Sequence, residues 1–195
     1  MPKFSVVTAT IVRPTLERLC HSLDNQLCQD YEHVVVVDIP FKEITAEQKL
    51  RLENIVRGGD NRVVTFCQKR HMNYGNTCRH NISPKLKGEY VIVMDDDDYF
   101  ADNEVLNTLK TVKEAWAVFP IMRYGQPYMF LPPASCRTGN AMFMYKRTLA
   151  VYPDTNIYES DGMLVEELKT KAAYEVLKCR PLTVMEISHY GKDFQ

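Results

Sequence analysis

Residues His33 to Asp38 read HVVVVD. Four consecutive valines leave no polar face, so as a strand this run must be covered on both sides, the situation of an interior strand in a parallel sheet. The neighbouring segments fit that requirement. "KFSVVTAT" is a β-branched run that Pro14 ends by removing a ladder donor. From Thr15, Leu16, Leu19, Leu23 and Leu27 recur near helical spacing. Thr45 and Gln48 form a capping-box pattern that opens a second helix, and Gly58 and Gly59 close it. "RVVTFCQ" reads as a third strand. "GNTCRHNISPKLKG" reads as a helix that Pro84 shortens or kinks and Gly88 stops. "YVIVM" is a fourth strand, after which Asp102 caps a helix running to about Ala115. A β-α succession repeated four times predicts an α/β fold with a mostly parallel, doubly wound sheet and helices on both faces.

Beyond residue 117 the pattern changes. Short extended pieces are broken by Pro120, Pro127, Pro132 and Pro133. "GNAMFMYKRTL" then reads as a strand and turn, "DGMLVEELKTKAAYE" as a helix and "LTVMEISH" as a final strand. No repeat or low-complexity linker separates the halves, so the 195 residues read as one domain. A hydrophobic content of 45% with 25% charged residues is that of a soluble globular chain. A net charge of −1 carries no electrostatic footprint for nucleic acid. The N-terminal stretch lacks the pattern of a signal peptide, and no window holds 18 consecutive apolar residues, so no membrane span is expected. The six widely spaced cysteines include no C-x-x-C pair and read as reduced thiols of a cytoplasmic protein.

The fourth strand runs directly into Asp95, Asp96, Asp97 and Asp98. Adjacent carboxylates repel by roughly 1 kcal/mol per pair at 4 Å in water, and by more beside an apolar core, so something positive must offset the cost. In an open α/β sheet, ligands bind outside the carboxyl ends of the strands. Met94 is the last apolar residue and Asp95 is expected to be the first exposed one. Hard carboxylate oxygens there suit Mg²⁺ or Mn²⁺, which take one or two protein carboxylates and complete their shell with water and phosphate oxygens. The plainer reading is a solvated acidic turn.

Other strand ends carry the groups a nucleotide needs. Thr8, Thr10 and Arg13 follow the first strand, where hydroxyls and a guanidinium can hold base, ribose or phosphate. Asp38 ends the second, as a ribose or base acceptor or as a turn residue before Pro40. After the third, "QKRHMNYGNTCRHN" is locally basic; Gly75 permits close backbone approach, and Arg79 is the cation best placed to meet a diphosphate. Trp116, Tyr124, Tyr128 and Phe130 could stack on a sugar ring or pack internally.

Taken together, "SVVTATIVRP", "VVVVD", "NYGNTCRHNI", "KGEYVIVMDDDDYF" and "GNAMFMYKR" resemble the GT-A glycosyltransferases, in particular the inverting family 2 group. Asn73, Gly75, Arg79 and Asn81 match the family's N-x-G-x-x-x-A-R-N pattern, with Cys78 in the alanine place; Lys87, Gly88 and Tyr90, then Met94, Asp95, Asp97 and Asp98, match the motifs that follow. The resemblance implies a GT-A-like domain over 1–195, with about 1–100 as the nucleotide-binding half and about 101–195 as the acceptor-side half. It implies that Asp38 contacts the base, that Asp95 and Asp97 form a D-x-D pair reaching ribose and a Mn²⁺ or Mg²⁺ ion, and that Asp96 joins the nucleotide-sugar site. It also implies that Asp161 in "YESDGMLVEEL" is the catalytic base, although Ser160 stands where the family usually has glutamate, which leaves Glu159 as the fallback. His189, after the last strand, takes the place of a histidine that some members bring to the metal.

The implied activity is transfer of a sugar from a nucleoside-diphosphate sugar, UDP- or dTDP-linked, to a hydroxyl of a glycan or other acceptor, with inversion. Two alternatives stand beside it. A sugar nucleotidyltransferase expects a glycine-rich loop after the first strand, which "TATIVRPT" lacks. A catalytically inactive module that binds nucleotide-sugar and metal would account for Ser160.

Overall fold

The computed structural model describes residues 1–135 and 137–185. Four strands and their crossovers build the first half: β1 (Phe4–Thr10), α1 (Thr15–Asp24), β2 (Tyr31–Val37), α2 (Ala46–Arg57), β3 (Arg62–Phe66), α3 (Asn76–Ile82) and β4 (Tyr90–Val93). The second half contains β5 (Tyr99–Phe100), α4 (Val105–Leu109), β6 (Trp116–Val118), β7 (Ile121–Arg123), β8 (Gln126–Tyr128), β9 (Phe143–Lys146), α5 (Ser160–Lys171), β10 (Tyr174–Val176) and β11 (Thr183–Met185). Among the described residues these strands form a seven-stranded sheet, β10-β6-β9-β4-β1-β2-β3, and a four-stranded sheet, β5-β11-β7-β8.

β1 lies parallel to β2 and to β4, pairing Phe4 with both Tyr31 and Tyr90. The two-sided burial expected of the valine run follows from this central place. Val34 and Val36 pack in a core shared with Val7 and Ala9 of β1, Cys78 of α3, and Leu164, Val165 and Leu168 of α5. Val35 and Val37 face the other way, onto Leu16 and Cys20 of α1 and Leu52 and Ile55 of α2. A third cluster joins Phe4 and Val6 to Leu19 and Leu23 of α1 and to Val105, Leu106 and Leu109 of α4. Each fully buried valine or leucine contributes about 1.5–3 kcal/mol, so both faces hold the sheet in place.

The structure corrects some of these expectations and bears out others. The second half does not continue the parallel succession: β9 inserts antiparallel to both β4 and β6. β11 joins the small sheet, antiparallel to β5, so the short strand after the acidic run is clamped by the far end of the chain. Leu27 lies past the end of α1 and is exposed. α4 stops at Leu109, well short of Ala115. Asp102 accepts from the Glu104 N–H at 2.8 Å and pairs with Arg180. Pro84 shortens α3, which gives way to a 3₁₀ turn at Ser83–Lys85. Gly88 is less a helix stop than a clearance, because a Cβ there would lie 2.3 Å from the Ser5 nitrogen of β1. Trp116 is fully buried and donates to the Ala172 carbonyl at 3.0 Å, so it packs internally.

Candidate active site

The strand order reverses between β4 and β1, and the loops leaving those two strands open a cleft at their carboxyl ends. Asp95 and Asp96, the first half of the acidic run, form its floor. Asp95 is partly exposed, whereas Asp96, Asp97 and Asp98 are only 1–3% exposed, so the run is not a solvated turn. Protein cations offset the crowding. Arg13 donates from Nε to Asp96 Oδ1 at 2.8 Å and from Nη1 to Asp97 Oδ2 at 3.3 Å. Arg18 Nη2 donates to the Asp97 carbonyl at 3.0 Å, and Arg79 Nη2 donates to Asp95 Oδ1. The Thr10 hydroxyl donates to Asp96 Oδ2 and accepts from the Val12 N–H at 2.8 Å. Charge-assisted bonds of this kind are roughly twice as strong as neutral ones, which offsets the crowding of carboxylates so near a core.

A tight turn brings the second wall in. Gly75 has φ +78°, and a Cβ on it would lie 2.4 Å from that of Ala9, so only glycine fits between β1 and α3. Arg79, one turn into α3, is held by the Tyr74 carbonyl at 2.9 Å and over the Tyr152 ring at 5.4 Å. The preceding loop is anchored by Asp38, which accepts from the His71 N–H at 2.9 Å and the Met72 N–H at 3.2 Å. Met72 and Tyr74 both adopt positive φ, a conformation that costs non-glycine residues about 1–2 kcal/mol each.

Asp161 enters from the far side, in the first turn of α5. Its Oδ1 accepts from the Gly162 N–H at 2.7 Å. Burial, reinforced by the nearby Asp95 charge, pushes its carboxyl up to about 6 against the opposing pull of that N–H and of Arg79. Ser160, in the usual glutamate's place, does not point at an acceptor. Fully buried, it donates to Asn76 Oδ1 at 2.7 Å and meets the Tyr152 hydroxyl at 3.0 Å. Asn76 in turn donates to the Thr155 and Ile157 carbonyls at 2.9 and 3.0 Å, tying the approach to α5 back onto α3. Tyr152 donates to Asn140 Oδ1 at 3.1 Å, and Asn140 donates to Asp95 Oδ1 at 3.2 Å. One polar chain therefore links the helix bearing Asp161 to the acidic floor.

Thr10, Arg13, Asp38, Gly75, Arg79, Asp95, Asp96 and Asp161 all line this one cleft, whose space including its open mouth is about 1120 Å³. Two other candidates lie elsewhere. Thr8 is buried within the sheet, its hydroxyl 3.2 Å from His33 Nε2. Asp97 does not line the cleft, and its side chain faces Arg13. His189 lies outside the described residues. Sequence reasoning missed Asn76, Asn140 and Tyr158, which also line the cleft. Asn76 and Asn140 stand inside quoted motifs, but their tethering depends on contacts 84 and 45 positions apart, with no local periodicity to reveal it.

Solved structures share this architecture at low sequence identity. The S. aureus TarS 1–349 structure superposes with a TM-score of 0.74 at 19% identity over 93% of this chain and 60% of that one. Its complex with UDP-GlcNAc gives 0.75 at 18%, over 99% and 62%. The mannosyltransferase PcManGT from Pyrobaculum calidifontis, solved with GDP-Man and Mn²⁺, gives 0.67 at 15%, over 97% and 58%. The architecture is the GT-A fold. The chain belongs to glycosyl transferase family 2, whose model matches residues 5–166. A curated relative, the GalNAc(5)-diNAcBac-PP-undecaprenol beta-1,3-glucosyltransferase of Campylobacter jejuni subsp. jejuni, is 27% identical over 118 residues, 60% of this chain and 37% of the relative. The chain thus spans well under half of that relative's length and about three fifths of the solved ones. No described helix is long and apolar enough to cross a membrane.

Proposed function

We propose that this chain transfers a sugar from a nucleoside-diphosphate donor to an acceptor hydroxyl, with inversion at the anomeric carbon. The observation that carries the reading is the single cleft in which Asp161 stands opposite Asp95, Asp96 and Arg79. Arg79 is the cation on the diphosphate side, where negative charge accumulates as the leaving group departs; stabilising such charge is usually the largest catalytic contribution. Asp161 accepts the acceptor's proton, a role worth roughly 10²–10⁴-fold in rate. Its raised carboxyl suits the task, since a base that titrates near the working pH both holds and releases the proton readily. Asp38, beside the Met72 end of the cleft, faces the nucleobase.

The oxygen donors on the cleft floor fit Mn²⁺ or Mg²⁺. Asp95 and Asp96 would hold the ion, since such cations need only one or two protein carboxylates. When bound, it would supply positive charge to the departing diphosphate. A UDP-sugar is the donor favoured by analogy with the TarS complex, and a glycan or lipid-linked sugar is the acceptor favoured by the curated relative.

The test is a thermal-shift screen of UDP-, dTDP- and GDP-sugars with and without Mn²⁺, followed by an assay for nucleoside-diphosphate release. A true donor at 100-fold its Kd stabilises the fold by about 2.7 kcal/mol. A donor that shifts the melting temperature and is consumed supports transfer. Binding without turnover for every acceptor class offered would identify an inactive binding module instead.

A further inference from the structure

A second group of ligating side chains lies at the edge of the cleft, away from the acidic floor. Its position follows from strand register. β2 and β3 pair Val37 with Phe66, so the next residue of each, Asp38 and Cys67, leave the sheet side by side, with the Cys67 N–H bonded to the Val37 carbonyl at 2.9 Å. The loop after β3 then folds back, and the His71 N–H donates to Asp38 Oδ1. One ligand atom each from Asp38, Cys67 and His71 thereby come within 4.8 Å of one another. Cys78, in the first turn of α3, adds another sulfur, 3.3 Å from Cys67 Sγ.

Two thiols, an imidazole and a carboxylate are a zinc donor set; Asp38, Cys67 and His71 share the mutual 4.8 Å spacing, whereas Cys78 stands outside that trio and joins it through Cys67. With Zn–S bonds of about 2.3 Å, two sulfurs on one tetrahedron stand about 3.8 Å apart, so the cysteine pair need open by only about 0.5 Å. The nitrogen and oxygen donors need to draw in by about 1–1.5 Å, within reach of side-chain rotation on a loop. Cys67 and His71 are partly exposed, which leaves an entry route, while Cys78 is buried beneath them. Thiolate ligands select zinc-class cations over Mg²⁺ and Mn²⁺, so this corner and the oxygen-only floor sort different metals.

We infer that Asp38, Cys67, His71 and Cys78 form a binding site for a thiophilic divalent cation of the zinc class. Asp38 also lines the cleft, so occupation of this site fixes one of its walls. The inference stands on these four side chains and does not depend on the transfer reaction.

The test is titration of the reduced, metal-free protein with Co²⁺, a spectroscopic substitute for zinc. The expected result is a thiolate-to-cobalt charge-transfer absorption with a tetrahedral visible band, saturating at one equivalent and erased by Zn²⁺. Cys67→Ser and His71→Ala should each weaken binding at least tenfold, while Cys179→Ser, outside the cluster, leaves it unchanged. Absence of the charge-transfer band, or an equal band in Cys67→Ser, overturns the site. A measurement on the unaltered chain guards against misfolded variants: Zn²⁺ should slow alkylation of Cys67 at least tenfold, read by peptide mass spectrometry, without protecting Cys179. Equal alkylation with and without Zn²⁺ overturns it as well.

Discussion

Replacing Asp161 with asparagine separates what this carboxylate does for the fold from what it does for chemistry. Its pKa stands at about 6, raised from 3.8 chiefly by burial. Below pH 3.8 the folded and unfolded chains both carry the proton and the residue is neutral to stability. As pH rises from 3.8 to about 6, the unfolded chain ionises first, so the fold loses stability through that window; above it the loss is constant. A shift of roughly 2 units at 1.36 kcal/mol each corresponds to about 3 kcal/mol, an upper bound because the side chain is partly exposed. Asparagine has no proton to lose and keeps an oxygen to accept from the Gly162 N–H. Asp161→Asn should therefore be more stable than the natural chain by about 1–3 kcal/mol at pH 7.5, with the gain vanishing near pH 3.5. Urea unfolding followed by circular dichroism across this range measures it. Sugar transfer should fall at least 100-fold while donor binding, read by calorimetry, is kept. A variant less stable than the natural chain at pH 7.5 would refute the burial argument, and lost donor affinity would refute the base role.

Other expected outcomes follow from the same geometry. Gly75→Ala, with φ +78° and a contact of 2.4 Å to Ala9, should cost about 2 kcal/mol or more in denaturant unfolding and weaken nucleotide binding through the displaced turn. Arg62, buried between α1 and β2, donates to His33 Nδ1 at 2.9 Å and pairs with Asp24 at 2.7 Å; Arg62→Ala should cost about 3–5 kcal/mol by the same measurement. His33 is held well below its ordinary range by burial and by the Arg62 charge, so protonation is confined to the unfolded chain and stability falls as pH drops through about 6.5. His33→Gln should flatten that slope between pH 7 and 5. Asp95→Asn should abolish any dependence of nucleotide binding on Mn²⁺, whereas Asp97→Asn, whose side chain faces Arg13, should cost stability first.

Much of the first half was legible along the chain because its signals are local. A run of four valines demands two covered faces, a Thr-x-x-Gln box starts α2 with both reciprocal bonds formed, and the residues following β1, β2 and β4 are brought to the sheet's carboxyl edge by chain direction alone. Only the tertiary structure decided the rest. It placed β9 antiparallel beside β4, which no periodicity encodes, because strand direction depends on where a distant segment returns. It buried three of the four aspartates and paired two of them, Asp96 and Asp97, with Arg13, 83 and 84 positions away, which made the acidic run an ion-paired corner rather than a solvated turn. It left Thr8 inside the sheet and joined Ser160 to Asn76, 84 positions apart. Hydrogen-bond capacity is written in each residue, but the partner that satisfies it is chosen only when the chain closes on itself.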